Sequence, residues 1–437
     1  MLILLYLFLS ICIALLVLLR KHIDFISAGA MTFLLYTSPC ITGDTWVKSL
    51  GYSYAYYESI SSYTYFCVIT QLIIITIFLL YKHKKESNFK LVSRVGSFRQ
   101  GNDLKSSRKI FFWRIIMSLC ALGFVYNIFF VVGISKFFSY ASKSDLASEF
   151  SLTFTVWGAI LCLFYFVGKK KYLDSAISFS MILSYFILGS RAYLATALLG
   201  LFFILTINTS RSFWTNVKLS VMALFAAIFF MLYKYIYVAV RALDFASAKS
   251  ILSSSDVSFN LLESGEFITV FSNYDYIVRH NFSYPFEDVL ARFVSIIPFA
   301  NNFIETKYDL RLAVTAQYDF YDIHYGAGSN FWGESYAMGG MFFVFLITFL
   351  WLYLLDKAYM RLQKNNGSAI FIALVGTYCS FYIHRLDWVQ ALGCIKAVFL
   401  YYILYEVFRI LMGSNRRKVT SNQVKHIKNK KRINVLN

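Results

Sequence analysis

The side chains best suited to chemistry are concentrated in one polar stretch of the sequence, residues 241–336. Cations that could hold an anionic ligand are spread along it: Arg241, Arg292, Lys307 and Arg311. The planar guanidinium fork binds two phosphate oxygens at once, so several such groups near one surface suit a diphosphate. The simpler interpretation for Arg292 is a helical ion pair with Asp288, four residues earlier. A similar local partner, Asp244, follows Arg241.

Arg191 and Arg385 are further candidates for binding a diphosphate outside that stretch. Arg191 stands between two apolar segments, and its nearest carboxylate in the sequence is Asp174. Because charges among apolar segments usually have partners, we expect Arg191 to meet a distant acid or an anionic ligand. Arg385 belongs to a short turn, residues 384–388. Lys234 lies inside an apolar segment, where it either reaches the surface with its long stem or lines an anion site from below.

Two side chains of the polar stretch are candidates for a general base. His324 precedes a glycine-containing segment, residues 325–330, that could carry it over a substrate. Glu334 lies where the next apolar segment begins. A histidine or a desolvated glutamate can accept a proton from a hydroxyl group near neutral pH. We favour His324 as the base, with Glu334 as its positioning partner or substitute, and the turn containing His384 and Asp387 as a third candidate.

Several other kinds of site are absent from the sequence. It contains no Walker loop, dinucleotide fingerprint, zinc-ligand spacing or Gly-x-Ser-x-Gly elbow. The seven cysteines fall in or beside apolar segments, so we expect them to be small buried side chains and not ligands. No nucleotide, metal or other cofactor is therefore expected.

The composition indicates which elements must position these side chains. Hydrophobic residues make up 58% of the 437 residues, and charged residues make up 15%. Soluble domains average roughly 45–50% apolar and about 25% charged residues, so we expect a polytopic membrane protein. Apolar segments of ~20 residues can cross the hydrocarbon core as helices, which indicates an all-α fold class.

Eleven membrane-spanning helices are predicted from the apolar segments. They lie at residues 2–19, 23–40, 61–81, 112–133, 150–168, two within 172–208, 215–240, 337–355, 368–384 and 389–411. The chain then divides into four parts: spans one to eight (residues 1–240) with a basic loop at 82–111, the large polar loop with short helices (241–336), spans nine to eleven (337–411), and a basic tail (412–437).

The distribution of basic residues predicts the orientation of the spans. Lys and Arg are concentrated in residues 82–111, in the tail and in alternate short loops. Cytoplasmic loops of membrane proteins carry such an excess of positive charge, so the net charge of +19 is a signal of topology and not of nucleic-acid binding. The N-terminus and the large loop are predicted to lie outside the cytoplasm, and the C-terminus inside.

The large loop is predicted to contain an amphipathic helix at residues 286–297. Its apolar residues share one face at helical spacing: Phe286, Val289, Leu290, Phe293 and Ile297. Pro298 should end the helix. We expect the apolar face to pack on the membrane surface or on the loop's own core.

The layout and three local segments resemble the Wzy family of O-antigen (oligosaccharide repeat unit) polymerases. The segments are Gly189-Ser190-Arg191 before an apolar run, Ile297-Pro298 with Lys307 downstream, and the small and polar run 328–340 that enters a span. In the last of these, Gly339-Gly340 stand where the family often has a Phe-Gly pair. The resemblance extends over most of the chain.

This resemblance implies a glycosyltransferase with a GT-C-like architecture in the bacterial inner membrane. Its implied reaction is transfer of a growing glycan from undecaprenyl diphosphate onto a new lipid-linked repeat unit at the periplasmic face. The implied partners are the lipid-linked donor and acceptor, the bilayer and a polysaccharide co-polymerase that regulates chain length. The donor already carries its leaving group, which agrees with the missing nucleotide and metal motifs.

Two other functions remain open from the sequence. An O-antigen ligase of the same superfamily shares the layout and differs in its acceptor. A flippase or other transporter of lipid-linked oligosaccharides would usually show internal repeats and ionisable or broken helices at mid-membrane. No repeat is visible here, and the embedded charges lie near the outer ends of their spans.

Overall fold

The computed structural model describes residues 1–48, 55–88, 103–140, 153–207, 209–253, 266–297, 330–363 and 368–433. These residues are nearly all helical. The first part of the chain contains α1 (Leu2–Leu19), α2 (Phe25–Tyr36), α3 (Pro39–Thr42), α4 (Ser62–Asn88), α5 (Asp103–Tyr126) and α6 (Ile134–Phe137). Strands β1 (Asp44–Lys48) and β2 (Ala55–Ser59) pair antiparallel between α3 and α4, and a π-helical turn at Asn127–Val132 continues α5.

The rest of the chain follows the same pattern of apolar helices, interrupted by shorter helices in the polar stretch. The elements are α7 (Thr153–Gly168), α8 (Tyr172–Ile187), α9 (Arg191–Thr206), α10 (Phe213–Arg241), α11 (Phe245–Ser253), α12 (Glu266–Arg279), α13 (Phe286–Val294), α14 (Phe331–Gln363), α15 (Ala369–Phe381) and α16 (Trp388–Ile433). A 3-10 turn, Ile383–Arg385, joins the last two helices.

Within the described residues, six helices are long and apolar enough to cross a membrane. They contain the segments Leu2–Leu19, Ser62–Lys84, Ser107–Val132, Phe213–Arg241, Phe331–Gln363 and Trp388–Met412. Shorter apolar helices occur at Phe25–Tyr36, Phe154–Gly168, Tyr172–Ile187, Arg191–Thr206 and Ala369–Phe381. Each falls on a predicted span, but a helix of 12 to 16 residues is about 18–24 Å long, less than the ~30 Å core. The count of eleven spans therefore stays a prediction.

Two ion pairs join helices at the end of the bundle that the predicted topology places inside. Lys82 of α4 pairs with Asp356 of α14. Arg114 of α5 pairs with Asp174 of α8, with 2.9 Å between Nη2 and Oδ2. Asp174, the acid nearest to Arg191 in the sequence, therefore has another partner. At this end of the bundle the pairs therefore join α4 to α14 and α5 to α8.

Several helices are longer than the apolar segments from which they were predicted. Helices α4 and α5 extend into the predicted basic loop 82–111, and α16 continues to Ile433 through the predicted tail. Lys and Arg are good helix formers and these segments contain no proline, so the helix continues after the hydrophobicity ends. Hydropathy marks the limits of a membrane segment, whereas caps and breakers mark the limits of a helix.

Helix α14 starts earlier than the predicted span 337–355 and is broken near its beginning. Gly339 (φ −173°, ψ 27°) and Gly340 (φ 66°, ψ −161°) have non-helical backbone angles. The positive φ of Gly340 lies in a region that residues with a Cβ atom rarely adopt. The break separates the first eight residues, 331–338, which form about two turns and carry Glu334, from the long apolar part of the helix.

Candidate functional site

Asn330 fixes the start of α14 and thereby the position of Glu334. Its side-chain oxygen accepts hydrogen bonds from the backbone N–H groups of Trp332 (2.9 Å) and Gly333 (3.0 Å). Asparagine is a preferred residue for capping a helix start in this way. Its side-chain nitrogen donates to the carbonyl of Val270 in α12 at 3.1 Å. The cap therefore joins α14 to α12 as well as beginning the helix.

Gly333 allows α12 to pack closely against the beginning of α14. A Cβ atom at this position would lie 2.8 Å from Cδ1 of Ile277 and 3.4 Å from the Cα atom of Tyr274. Real Cβ atoms do not approach other atoms to 2.8 Å, so a larger residue here would require the end of the Ile277 side chain to move. The close approach holds Glu334, the next residue, against the loop helices.

Glu334 forms a buried ion pair with Arg292 of α13. The distance from Arg292 Nε to Glu334 Oε1 is 2.6 Å, and the two residues are 3% and 2% exposed. The Tyr284 hydroxyl donates to the same oxygen at 3.4 Å, and the backbone N–H of Trp388 donates to Oε2. Both carboxylate oxygens thus have donors, as a buried charge requires.

Tyr284 connects α13 to the break in α14. Its backbone N–H donates to the carbonyl of Ala337 at 2.8 Å. A break at Gly339-Gly340 leaves carbonyls of the preceding turn without their usual helical donors, and Tyr284 supplies one. The Arg292 guanidinium lies 3.7 Å from the centroid of the Tyr284 ring. The ring and the ion pair therefore hold each other in place.

The electrostatic environment keeps Arg292 charged and Tyr284 neutral. Burial alone would lower the pKa of Arg292, but the negative charge of Glu334 beside it raises that pKa above its ordinary value. Burial, followed by the charge of Glu334, raises the pKa of Tyr284 far above its ordinary value. Tyr284 therefore acts as a hydrogen-bond donor to the carboxylate and not as an acid.

His384 supports the same helix turn from the other side. Its Nδ1 accepts a hydrogen bond from Nε1 of Trp332 at 3.0 Å. An indole nitrogen can only donate, so Nδ1 of His384 is unprotonated and its lone pair is occupied by this hydrogen bond. The residue is fully buried, with the rings of Phe33 and Trp351 5.8 and 5.4 Å away. His384 is thus placed as a structural neighbour of the site.

A second group of polar side chains, the cation cluster, consists of Arg191, Lys234 and Arg385. Lys234 lies within electrostatic range of both arginines, and the arginines lie within range of each other. Burial lowers the pKa of Arg385 to about 10, and the charge of Arg191 acts in the same direction. Sequence separation is large among these residues, so the fold has gathered three like charges in one place at an electrostatic cost.

Backbone and aromatic contacts hold the cation cluster. The Arg191 guanidinium donates through Nη1 to the carbonyl of Phe230 in α10 at 2.8 Å. The Arg385 guanidinium carbon lies 5.8 Å from the centroid of the Tyr382 ring. Tyr36 is near enough to both arginines to interact electrostatically with them. A backbone carbonyl and a tyrosine ring therefore orient the guanidinium groups of Arg191 and Arg385.

Residues 384–388 connect the two groups. His384 accepts from Trp332 of α14, Arg385 belongs to the cation cluster, and the Trp388 N–H donates to Glu334. The Phe331 and Trp388 rings stack with centroids 5.1 Å apart. One short turn between α15 and α16 therefore sets the position of Arg385 relative to the buried Glu334 carboxylate.

Arg241 has a different environment from the other candidate cations. It is 1% exposed, and its Nε and Nη2 donate to the carbonyl of Ser139 at 3.3 and 3.1 Å. Asp244, its expected local partner, accepts from Tyr140 and Ser247. These contacts attach the segment after α6 to the end of α10. A role for Arg241 toward a diphosphate stays a prediction.

Apart from Arg241, the predicted site residues divide into three sets. Arg292 and Glu334 meet directly, and Arg191 and Arg385 meet in the cation cluster. The local interpretation of Arg292 missed its pairing with Glu334, 42 residues away in sequence. His324, Lys307 and Arg311 lie outside the described residues. Sequence reasoning also missed Tyr284 and the Trp388 backbone N–H, for which the sequence carries no recognisable signal.

The described residues contain no group of three or more His, Cys, Asp or Glu side chains that could hold a metal ion. Apolar helices that can cross a membrane, with charged groups gathered among helix ends and loop helices, define a multi-pass membrane protein.

The chain belongs to the O-antigen polysaccharide polymerase Wzy family, whose model matches residues 1–416. Comparisons with curated proteins and with solved structures found no match. Membership supports a role as a polysaccharide polymerase, and polymerases of this family act on lipid-linked oligosaccharides in membranes.

Proposed function

We propose that this protein transfers a growing glycan from undecaprenyl diphosphate onto a new lipid-linked repeat unit. The observation that carries the proposal is the cation cluster, Arg191, Lys234 and Arg385, joined by one turn to the buried carboxylate of Glu334. The reaction takes place at the periplasmic face of the bacterial inner membrane, with the N-terminus in the periplasm and the C-terminus in the cytoplasm. Eleven spans in a GT-C-like arrangement are part of the same proposal.

The cation cluster suits the leaving group of this reaction. A sugar hydroxyl of the acceptor attacks the anomeric carbon of the donor, and the bond from that carbon to the phosphate oxygen breaks. Undecaprenyl diphosphate leaves with additional negative charge. Fixed cations at that position stabilise the transition state without reorganising as the charge develops. Arg191 and Arg385 would contact the phosphate oxygens, with Lys234 adding a third positive charge.

The contacts of Glu334 favour His324 as the base that accepts the proton of the attacking hydroxyl. Both oxygens of Glu334 already accept hydrogen bonds, from Arg292 and from the Trp388 backbone. To accept a substrate proton, Glu334 must first exchange one of these donors. We therefore propose that His324 is the base and that Glu334 positions the segment preceding α14. Lys307 and Arg311, from the same part of the large loop, would contact the substrate.

A reconstituted assay tests the proposed reaction. The full chain is placed in vesicles with lipid-linked repeat units, and the products are measured by gel separation of glycans and by release of undecaprenyl diphosphate. We expect a ladder of chain lengths, with one undecaprenyl diphosphate released per linkage formed. When a lipid A core acceptor is added to the vesicles, transfer to it without a ladder would indicate a ligase. Movement of substrate between leaflets without a new glycosidic bond would indicate a transporter.

A further inference from the structure

Helix α13 has its polar and apolar faces arranged oppositely to those of a helix in a soluble protein. Its polar residues Asp288 and Arg292 and the C-cap Ser295 are buried, at 3–4% exposure, whereas Glu287 is exposed. Two of its large apolar residues are exposed, Phe286 by 79% and Leu290 by 52%, whereas Val289 and Phe293 are half-buried. The turn after the helix adds two more exposed side chains, Ile296 (48%) and Ile297 (60%). These four side chains form one surface, the α13 apolar face.

The buried contacts of α13 prevent this face from turning inward. Arg292 is paired with Glu334, and the Tyr284 backbone is attached to Ala337. Rotating the helix to cover Phe286 and Leu290 would expose Arg292 and leave the buried Glu334 carboxylate without its cation. Because breaking a buried ion pair is strongly unfavourable, the apolar face stays outward in the folded protein.

The α13 apolar face adjoins the surface of a candidate membrane span. The Phe293 ring packs on the Phe343 ring of α14 at 6.0 Å between centroids. Phe343 follows the break in α14, and the preceding residues Met341 and Phe342 are 42% and 73% exposed. The apolar part of α14 from there onward belongs to the span Phe331–Gln363. Helix α13 therefore lies beside the point where a lipid-facing surface begins.

We propose that α13 lies in the bilayer interface, with Phe286, Leu290, Ile296 and Ile297 among the lipid chains. An amphipathic helix with its apolar side toward the acyl chains is a recognised way of attaching a segment to a membrane surface. The lipid surface is then the partner that holds α13 in the orientation that presents Arg292 to Glu334. This proposal does not depend on which glycan the protein transfers or on the identity of its base.

Spin-label accessibility measures the environment of the face directly. A nitroxide is attached to Leu290→Cys, and separately to Phe286→Cys, in the full chain. Cys12 and Cys379 are replaced beforehand because they are partly exposed, whereas the other native cysteines are buried. The matched control is Ser283→Cys, an exposed polar position just before the helix. Each protein is reconstituted in phosphatidylethanolamine–phosphatidylglycerol vesicles, and relaxation by oxygen and by a water-soluble nickel chelate is compared.

Each outcome of this measurement decides the proposal. Labels at 286 and 290 should be more accessible to oxygen and less accessible to nickel than the label at 283, as expected for acyl chains. Nickel accessibility equal to that of the control would place the face in water and overturn the proposal. Immobile labels that neither reagent reaches would show that protein covers the face, which overturns it as well.

A second measurement tests the link between the lipid contact and the site. Leu290→Glu introduces a charge into the proposed acyl-chain contact without changing a residue that touches Glu334, whereas Glu287→Gln changes an exposed polar residue of the same helix. We expect Leu290→Glu to mobilise a label at residue 286 in vesicles and Glu287→Gln to leave it unchanged. Equal mobility in both variants would contradict a lipid contact that holds α13 in place.

Discussion

At the scale of single residues, the cost of burying charge explains the contacts of Arg292 and Glu334. Neither side chain has enough exposure to be solvated by water, at 3% and 2%. Each therefore depends on the other, with Tyr284 and the Trp388 backbone supplying the remaining hydrogen bonds. A charge that loses its buried partner keeps its desolvation cost without the compensating attraction.

Removing one partner of this buried pair should strongly destabilise the protein. The loss of stability on removing both partners should be smaller than the sum of the two single losses. We expect Glu334→Gln or Arg292→Gln to lower the free energy of unfolding by ~3–5 kcal/mol, and the double variant to cost less than the two single changes together. Denaturant unfolding in detergent micelles measures this. The control is Arg409→Gln, since the Arg409 side chain is 60% exposed and its pair with Glu406 is worth only ~0–1 kcal/mol. Strict additivity would contradict a direct interaction.

Polymerisation should require a guanidinium group at residue 191 and not merely a positive charge. Arg191→Lys keeps the charge but loses the planar fork, so the rate of polymerisation should fall by about 10- to 100-fold, as for a lost charged hydrogen bond of ~1.5–3 kcal/mol. The reconstituted glycan ladder measures the rate, with protein amount normalised. Arg409→Lys, at an exposed position, should leave the rate unchanged. Full activity of Arg191→Ala would exclude Arg191 from the phosphate site.

His324 should be needed for chain extension if it is the base. His324→Ala should reduce polymerisation by ~10²–10⁴-fold, the usual contribution of a general base, while the protein still folds and binds donor. The measurement is the length distribution of glycans, and His280→Ala, an exposed histidine of the same polar stretch, is the control. Long chains from His324→Ala together with none from Glu334→Gln, at equal amounts of folded protein, would exchange the two roles.

At the scale of elements, the break in α14 decides how the loop helices meet the membrane helices. Gly340 has φ 66° and ψ −161°, a backbone conformation that is essentially confined to glycine. The break allows the carbonyl of Ala337 to accept from the Tyr284 backbone, which sets the beginning of α13. A straight helix through this position would compete with that contact.

A side chain at residue 340 should therefore destabilise the protein through backbone strain alone. A Cβ atom at Gly340 would meet nothing within 4 Å, so Gly340→Ala creates no clash, and its expected cost is the ~1–3 kcal/mol of an unfavourable conformation. Thermal unfolding in detergent measures it. Gly393 in α16 provides a matched control, because it also has open space, and alanine there should be neutral or stabilising. Equal effects of the two changes would argue against the strain.

At the scale of the whole molecule, the distribution of charge predicts which ends of the helices face the periplasm. The ion pairs Lys82–Asp356 and Arg114–Asp174 join helix ends that the topology assigns to the cytoplasmic side. Asp356 lies 15 residues beyond Met341, the first residue after the break in α14, which is about 22 Å at helical rise. The cation cluster and Glu334 therefore belong to the opposite end of the bundle from these pairs.

Reporter fusions test this orientation. Alkaline phosphatase, which is active only outside the cytoplasm, should be active when fused after Leu261 in the large loop and inactive when fused after Lys105 in the basic loop. The physical reason is the excess of Lys and Arg in cytoplasmic loops. Fusion protein levels, measured by immunoblot, serve as the control. The reverse pattern at either position would overturn the predicted topology and the periplasmic location of the loop.

The sequence by itself determined the class of the protein and the positions of its apolar helices. Hydrophobic segments of membrane length and the clustering of Lys and Arg are properties of local sequence, because each helix meets its own hydrogen-bonding needs in the bilayer. The division of residues 172–208 into two helices at Gly189-Ser190-Arg191 agrees with α8 and α9. The family was recognised from the same layout and is confirmed over residues 1–416.

Only the tertiary structure decided which charges meet. Arg292 has an acid four residues earlier in the sequence, yet it pairs with Glu334, because desolvating Glu334 is acceptable only with a cation beside it. Arg191, Lys234 and Arg385 come from distant segments, and no sequence spacing records their proximity. The outward direction of Phe286 and Leu290 on α13 follows from that ion pair together with the proposed lipid contact, both of which involve partners outside the helix's own sequence. The local sequence pattern predicts the helices. Which charged side chains pair depends on the cost of desolvating them and on the partners within reach, and both are determined only when the helices pack.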